Sequence, residues 1–167
     1  MSITEIRMID NSYCREIIDL ILPIQQVEFN VPVTLEDQPD LLDIEANYHG
    51  TGGGFWGGMV NDRLAGTIAL ISIGYQAGAI RKMFVKKAYR GKEYGIAQHL
   101  LEQLIAHSRS MNITDLYLGT VNKMAAARRF YERNHFKEIQ KEELPPYFPL
   151  MSADNVFYHL HLNREAV

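Results

Sequence analysis

Residues 79–119 contain two short apolar segments that enclose one amphipathic segment, a pattern that few folds accommodate. Residues 79–85 and 114–119 have the length and apolar content of buried strands. Residues 95–109 lie between them and place apolar side chains at helical spacing, namely Ile96, Leu100, Leu101, Leu104 and Ile105. A strand, a helix and a strand in this order predict a parallel strand pair with a right-handed crossover. We therefore expect an α/β unit.

Segments on both sides of this unit extend the same architecture. Further strands are predicted at residues 3–9, 55–60, 64–73, 136–139 and 156–162. Further helices are predicted after residue 11, from residue 39 or 40 to residue 48, and at 122–134. No repeat, low-complexity tract or linker divides the sequence. The element order β-α-α-β-β-β-α-β-α-β-β predicts a single α/β domain over residues 1–167, with a mixed sheet and helices on its faces.

Charge is unevenly distributed along the 167 residues, although the formal net charge is only −3. Residues 1–50 carry ten acids and two bases, a net −8, whereas residues 81–92 carry six bases and no acid, a net +6. General nucleic-acid binders need a broad basic face, so this class of function is disfavoured. A compact basic segment on an acidic chain fits a small anionic ligand, but it also fits a solvated charged surface.

Secretion and membrane insertion are not indicated by the sequence. The first five residues show no basic segment followed by an apolar one. The apolar run at residues 17–24 is interrupted by Asp19 and Pro23 and is too short to span a bilayer. Cys14 is the only cysteine, which excludes an intrachain disulfide and fits a reducing compartment. We therefore expect a cytoplasmic protein without membrane contact.

A basic loop containing two glycines connects the strand at residues 79–85 to the following helix. Arg90 and Lys92 flank Gly91, and Gly95 precedes the helical segment. Free N–H groups and the positive end of the helix dipole favour a phosphate at such a position, and glycine allows its close approach. The loop lacks the Gly-Lys-Ser/Thr end of a P-loop and the G-x-G-x-x-G pattern. It therefore predicts a site for a nucleotide pyrophosphate.

The same region resembles motif A of the GNAT N-acetyltransferase superfamily. The resemblance is carried by residues 80–85, 89–92 and 95–97. The loop of that superfamily is written R/Q-x-x-G-x-G/A, and Lys92 stands at the R/Q position here. The pair Arg90 and Gly91 lies two residues further upstream than is usual, which makes Glu93 and Tyr94 an enlargement of the loop.

A second resemblance to this superfamily follows the crossover helix. Residues 117–122 and 127–136 are similar to its strand and its A-x-x-F-Y-E-x-x-G-F helix, and Tyr131 stands at the tyrosine of that pattern. His135 occupies the position where glycine is usual. Residues 148–160 resemble the closing strands of the family. The resemblance therefore covers most of the chain.

The resemblance implies that two parallel strands splay apart and that the pantetheine arm of acetyl-CoA enters the gap. Met83, Phe84 and Val85 would contact this arm through backbone groups, and the N–H of Phe84 or Val85 would polarise the thioester carbonyl. Asn122 is placed either to hydrogen-bond the arm or to cap the next helix. The pyrophosphate would be held by Arg90, Gly91, Lys92, Glu93, Tyr94, Gly95, Ile96 and Ala97.

The chemistry implied by the family is direct attack of a primary amine on the thioester. Tyr131 is the expected general acid toward the departing thiolate, although a tyrosine on an amphipathic helix also suits a core. No general base is assigned from the sequence. Glu28, Glu45 and His49 lie in the region where the family binds acceptors, but each also suits the surface.

The acceptor amine is left open, because this fold serves small molecules, amino acids and peptides. The acidic residues 1–50 would suit a cationic amine. A homodimer is a further expectation from the family. His159 and His161 share a strand face but lack a third ligand, so no metal site is expected. A catalytically silent acyl-CoA-binding sensor is the alternative function.

Overall fold

The computed structural model describes residues 4–163, in which seven strands and four α-helices are formed. The strands are β1 (Thr4–Met8), β2 (Gly54–Val60), β3 (Arg63–Gly74), β4 (Ala77–Val85), β5 (Asp115–Thr120), β6 (Lys137–Ile139) and β7 (Val156–His161). The helices are α1 (Cys14–Pro23), α2 (Ile44–Asn47), α3 (Ile96–Ser110) and α4 (Ala125–Arg133). The predicted mixed α/β fold is confirmed.

All seven strands form one sheet in the order β1-β2-β3-β4-β5-β7-β6. Among the strands of the described residues only β4 and β5 run parallel, which confirms the pair predicted on either side of α3. Their pairing begins at Ala77 with Asp115 and ends at Ile80 with Leu118. The two strands therefore separate toward their carboxyl ends.

Helices cover both faces of the sheet. Trp56 packs in one cluster with Leu100 of α3, whereas its neighbour Phe55 packs in another with Ile17 of α1 and Tyr48. Adjacent strand residues point to opposite faces, so the two clusters lie on the two sides of β2.

None of the helices found within residues 4–163 has the length and apolar content that a membrane-spanning helix needs.

Helix α1 continues past Pro23 in a π-helical turn, Ile24–Glu28. Pro23 has no N–H to donate within the helix, and the wider turn closes instead through the N–H of Phe29, which donates to the carbonyl of Ile24 at 3.0 Å. This turn places Glu28 and Phe29 beside the end of β4, where Glu28 meets Arg90.

The prediction of one helix from residue 39 or 40 to residue 48 is wrong, because the segment forms two separate helical turns. A 3-10 helix, Pro39–Leu42, precedes the short helix α2. Asp43 separates the two because its carboxylate accepts the N–H of Ala46 at 3.0 Å and starts a new helix there.

The prediction that Asn122 caps α4 is also wrong. The helix begins at Ala125, and Met124 stands at the capping position without a side-chain hydrogen bond. Asn122 lies in an additional turn after β5, closed by the N–H of Met124, which donates to the carbonyl of Val121 at 3.1 Å. The backbone N–H of Asn122 donates to Oδ1 of Asn155 at 3.0 Å.

Candidate active site

A β-bulge shapes the end of β4 where it leaves β5. Thr67 pairs with Phe84 and Ala69 with Arg81, so β4 contains one residue more than β3 between these pairs. Lys82 adopts a left-handed conformation there (φ +57°), and its carbonyl accepts the Thr67 hydroxyl at 2.7 Å. A bulge bends its strand and changes the direction of the side chains around it. Arg81 and Lys82 both line a cavity next to the bulge.

A groove of about 250 Å³ lies between the end of β4 and α4. Its first wall contains Met83, Phe84, Val85, Arg90, Gly91 and Ala97, and its second contains Met124, Ala126, Ala127, Phe130, Tyr131 and Arg133. Ile24 and Phe29, from the turn after α1, complete the lining. The groove thus brings together both segments that resemble the acetyltransferase motifs.

A second cavity, of about 120 Å³, lies deeper between β4 and β5. Its polar lining comes from separate parts of the chain and includes Gln25, Gln38, Arg81, Lys82 and Asp154. The groove and this cavity share five lining residues, namely Met83, Phe84, Met124, Ala127 and Tyr131. The two spaces are therefore contiguous and meet at the tyrosine predicted to be the general acid.

Tyr131 is only 5% exposed and is fixed by aromatic neighbours. Its ring centroid lies 5.6 Å from that of Phe136 and 5.7 Å from that of Phe130, both in edge-on geometry. Within the described part of the chain its hydroxyl makes no hydrogen bond. Burial, with the charge of Asp154 adding to it, raises the pKa of Tyr131 well above its ordinary value. The phenol therefore stays protonated at neutral pH and is able to donate its proton.

Asp154, which the sequence analysis did not single out, lines the deeper cavity. Burial raises the pKa of Asp154 to about 6, against the opposing effect of Arg81 and Lys82. The lack of a side chain at Gly119 leaves room for the Asp154 carboxylate, because a Cβ at Gly119 would lie 2.5 Å from Oδ2 of Asp154. A carboxylate with this pKa beside a protonated tyrosine is suited to general base catalysis.

Lys82 is buried beside the cavity in a network of polar side chains. Its Nζ donates to Oε1 of Gln38 at 2.5 Å and lies 3.5 Å from Oδ2 of Asp40. The amides of Gln25 and Gln38 donate to each other at 3.1 and 2.8 Å. Burial lowers the pKa of Lys82 to about 8 although Asp40 favours the charged form.

The predicted phosphate loop has the backbone geometry that its glycines suggest. Gly91 (φ +107°) and Gly95 (φ +62°) both adopt positive φ angles. Gly95 occupies the N-cap position of α3 and offers no side chain to its first N–H groups. These donors and the positive end of the helix dipole are thus available to an anion.

The Arg90 side chain is bound to the turn after α1. Its guanidinium forms a two-pronged ion pair with Glu28, with one contact at 2.8 Å, and lies over the ring of Phe29. Its Nε donates to the carbonyl of Val85 at 2.8 Å. Arg90 therefore fastens this turn to the end of β4 and closes one side of the groove.

The other predicted cofactor residues do not line the groove. Lys92 and Glu93 are exposed. Tyr94 packs edge-on against Tyr89, and Ile96 is buried in the core, so their side chains support the loop. Asn122 lines a different depression, together with Pro32 and Asn155.

The three residues that the sequence placed in the acceptor region, without assigning any of them as the base, have other partners. Glu28 pairs with Arg90, Glu45 accepts the N–H of Asn11 at 3.0 Å, and Nε2 of His49 hydrogen-bonds the carbonyl of Ile9 at 2.8 Å. None of them lines the cavity. Nothing in the local sequence pattern distinguishes Asp154 from an ordinary loop aspartate. Only the fold brings it beside Tyr131.

His159 and His161 share Asp115 as a hydrogen-bond partner. Oδ1 of Asp115 accepts from His159 at 2.8 Å and from His161 at 3.1 Å. Across residues 4–163 no group of three His, Cys, Asp or Glu side chains is arranged to hold a metal ion.

Comparisons with known proteins place this chain in one family. A structure of a GNAT-family acetyltransferase from Staphylococcus aureus Mu50 has 41% sequence identity, a TM-score of 0.93, and coverage of 96% of this chain and 100% of its own. An acetyltransferase from Streptococcus agalactiae has 28% sequence identity and a TM-score of 0.90, and the match covers 95% of this chain and 98% of its own.

A more distant structure, YncA from Salmonella typhimurium with acetyl-CoA, has 17% identity and a TM-score of 0.69, covering 99% of this chain and 97% of its own. No curated protein sequence matches the chain significantly. The sequence profile described as "Acetyltransferase (GNAT) family" matches residues 18–136. The chain therefore belongs to the GNAT acetyltransferase family.

Proposed function

We propose that the protein is an N-acetyltransferase that moves the acetyl group of acetyl-CoA to a primary amine. The observation that carries this proposal is the meeting of groove and cavity at Tyr131, between the separated ends of β4 and β5. The groove suits the arm of a thioester, and the adjoining cavity, whose lining includes the charged side chains of Arg81 and Asp154, suits an acceptor. The acetyl-CoA in the Salmonella YncA structure supports the same interpretation.

The residues around the groove fit acetyl-CoA. The backbone of Met83, Phe84 and Val85 borders the groove where β5 no longer pairs with β4, so it is placed to hydrogen-bond the pantetheine arm. The loop from Arg90 to Ala97 offers the N–H groups of the α3 N-terminus to the pyrophosphate. When bound, acetyl-CoA supplies an acetyl group activated as a thioester.

Strand geometry favours Val85 over Phe84 as the donor to the thioester oxygen. The N–H of Lys86 donates to the carbonyl of Ala65 on β3 at 2.8 Å. Successive N–H groups of a strand alternate in direction, so the N–H of Phe84 also faces β3 and that of Val85 faces the gap. A fixed backbone donor at this position would stabilise the negative charge that develops on the thioester oxygen.

Asp154 and Tyr131 are assigned to the two proton transfers. Asp154 takes a proton from the acceptor ammonium and frees the nitrogen lone pair, which forms the new N–C bond. The C–S bond breaks with its electron pair on sulfur, and Tyr131 gives its phenolic proton to that sulfur. The new amide nitrogen loses its second proton, which returns through solvent to the Tyr131 phenolate, and Asp154 releases its own proton to solvent. No acyl-enzyme is formed in this scheme.

The direct test is incubation of the protein with acetyl-CoA and a panel of small-molecule and peptide amines. We expect release of the CoA thiol that depends on an amine, together with an N-acetylated product detected by its mass. Binding of CoA without acetylation of any amine would contradict the proposal and favour the silent sensor.

The cytoplasmic location and the homodimer that the sequence suggested both stay predictions.

Filling the groove is expected to prevent cofactor binding. Ala127 lines both spaces, whereas Ala125, on the same helix, is exposed and lines neither. An Ala127→Phe substitution should raise the Kd for acetyl-CoA at least about tenfold, since the ring would occupy the space beside Tyr131. Ala125→Phe is the control and should bind normally in titration calorimetry. Unchanged binding by Ala127→Phe would place the arm elsewhere.

A further inference from the structure

Arg81 lines the deeper cavity with most of its hydrogen-bonding capacity unused. Its Nη2 donates to the thioether sulfur of Met151 at 2.8 Å, a weak acceptor. Among residues 4–163 no carboxylate oxygen lies within ion-pair distance of this guanidinium. An arginine has five N–H donors in a planar arrangement that suits a carboxylate. Arg81 is therefore able to bind an anion inside the cavity.

The other cation of the cavity, Lys82, is already neutralised. Asp40 forms an ion pair with Lys82 and also accepts the hydroxyl of Tyr48 at 2.5 Å. Asp40 itself does not line the cavity. Once this pair is set aside, the charges that face the cavity are the cation of Arg81 and the anion of Asp154.

Arg81 and Asp154 influence each other electrostatically without forming a contact. The positive charge of Arg81 opposes the rise in the pKa of Asp154. The Asp154 carboxylate accepts no hydrogen bond from another side chain in the described range. A ligand that carries an ammonium and a carboxylate a short distance apart would satisfy both groups at once, and it would place its nitrogen next to the proposed base.

We infer that the acceptor is a free amino acid, with its carboxylate on Arg81 and its amine beside Asp154 and Tyr131. This inference rests on the proposed function and names its substrate class. The small cavity, about 120 Å³, suits the head group of such a molecule. A polyamine would instead bring a second cation to Arg81, and a peptide N-terminus would bring a neutral amide, so both are disfavoured.

The acidic excess of residues 1–50 does not reach the cavity. This part of the chain contributes Gln25, Val31, Val33 and Gln38 to the lining, and none of these side chains is charged. Residues 1–50 therefore supply no negative charge to the lining of this cavity.

Matched acceptors test the inference. For alanine, lysine and phenylalanine, the amino acid is compared with its carboxamide and with its decarboxylated amine. We expect kcat/KM to be about tenfold to a hundredfold higher for the acid than for the carboxamide, because only the acid forms a charge-assisted bond with Arg81. The carboxamide has the less basic amine, which loses its proton more readily, so amine reactivity does not explain this preference.

The outcomes separate the inference from the function on which it rests. If carboxamides and simple amines react as well as the acids or better, the amino acid inference is overturned and the N-acetyltransferase stands. If no amine of any class is acetylated, the proposed function itself fails.

Substitution of Arg81 gives the second test. Arg81→Gln should raise the KM for the amino acid about tenfold to a hundredfold, abolish the preference for acid over carboxamide, and leave the KM for acetyl-CoA unchanged. Arg81→Lys keeps the charge without the planar donors and should restore part of the preference. Arg63→Gln, at an exposed arginine outside the cavity, is the control. An unchanged preference in folded Arg81→Gln would overturn the inference.

Discussion

Replacing Tyr131 with phenylalanine is expected to lower kcat for acetyl transfer at least about a hundredfold, which is the usual effect of losing a general acid. The phenyl ring keeps the aromatic contacts with Phe130 and Phe136, so the fold and the groove should be retained. The sulfur would then leave as a thiolate without a proton donor. Single-turnover measurements with saturating acetyl-CoA should locate the loss in the chemical step rather than in binding.

Tyr117→Phe provides the matched control for this substitution. Tyr117 lies on β5, stacks on His159 and lines neither the groove nor the cavity. Loss of its hydroxyl should leave kcat near that of the wild type. A Tyr131→Phe variant with normal kcat would remove Tyr131 from the mechanism.

The second large effect is expected for Asp154→Asn. The asparagine has nearly the same shape but accepts no proton, so kcat/KM at neutral pH should fall about a hundredfold or more. In the wild type, kcat/KM should decrease as the pH falls through about 6, since burial raises the pKa of Asp154 to that value. The variant should lack this acid limb of the pH profile.

The same substitution is expected to stabilise the protein at neutral pH. The pKa of Asp154 is about 6 in the folded chain against an ordinary value of 3.8, so the folded state binds more protons between these values. Stability therefore falls as the pH rises from about 4 to about 6. This pKa difference corresponds to about 3 kcal/mol of unfolding free energy. Because the carboxylate is partly hydrated, we expect Asp154→Asn to raise the free energy of unfolding at pH 7.5 by about 2 kcal/mol.

Denaturant unfolding at pH 4.5 and pH 7.5 measures this effect. The increase in unfolding free energy caused by Asp154→Asn should be largest at pH 7.5. It should be small at pH 4.5, where Asp154 of the wild type is protonated. Asp19→Asn, at an exposed aspartate on α1, is the control and should show no such difference. If Asp154→Asn destabilised the protein at both pH values while remaining fully active, Asp154 would be a structural residue only.

Much of the fold follows from local patterns. The apolar stripe of α3 and its two flanking strands predict the parallel pair, and Gly91 and Gly95 mark the loop before α3, where both adopt positive φ angles. Tyr131 was named from a motif, and the structure places it between groove and cavity. These features depend on neighbours in the sequence, which is why they could be predicted.

The rest of the site depends on contacts between distant segments. Asp154 is brought to Gly119 by the return of the chain into β7, and its raised pKa comes from that burial. The start of α4 also differs from the sequence prediction, because an additional turn after β5 carries Asn122 away from the N-cap position. No periodicity or spacing in the sequence encodes either arrangement.

The basic segment 81–92 illustrates the same limit. Its net charge suggested one anion-binding patch, but its members have separate surroundings. Arg81 and Lys82 face the deeper cavity because of the bulge, and Arg90 binds Glu28. Lys86 and Lys87 are exposed. Sequence shows where these charges lie along the chain, and only the fold shows to which site each belongs.

The proposed mechanism requires thioester and amine to meet at Tyr131, in the gap between β4 and β5. A crystal structure of the protein with acetyl-CoA would show whether they do. The thioester oxygen should lie within hydrogen-bond distance of the Val85 N–H, and the sulfur should lie next to the Tyr131 hydroxyl, with the acetyl group directed toward Asp154. Acetyl-CoA bound outside this gap, or with its sulfur remote from Tyr131, would contradict the account.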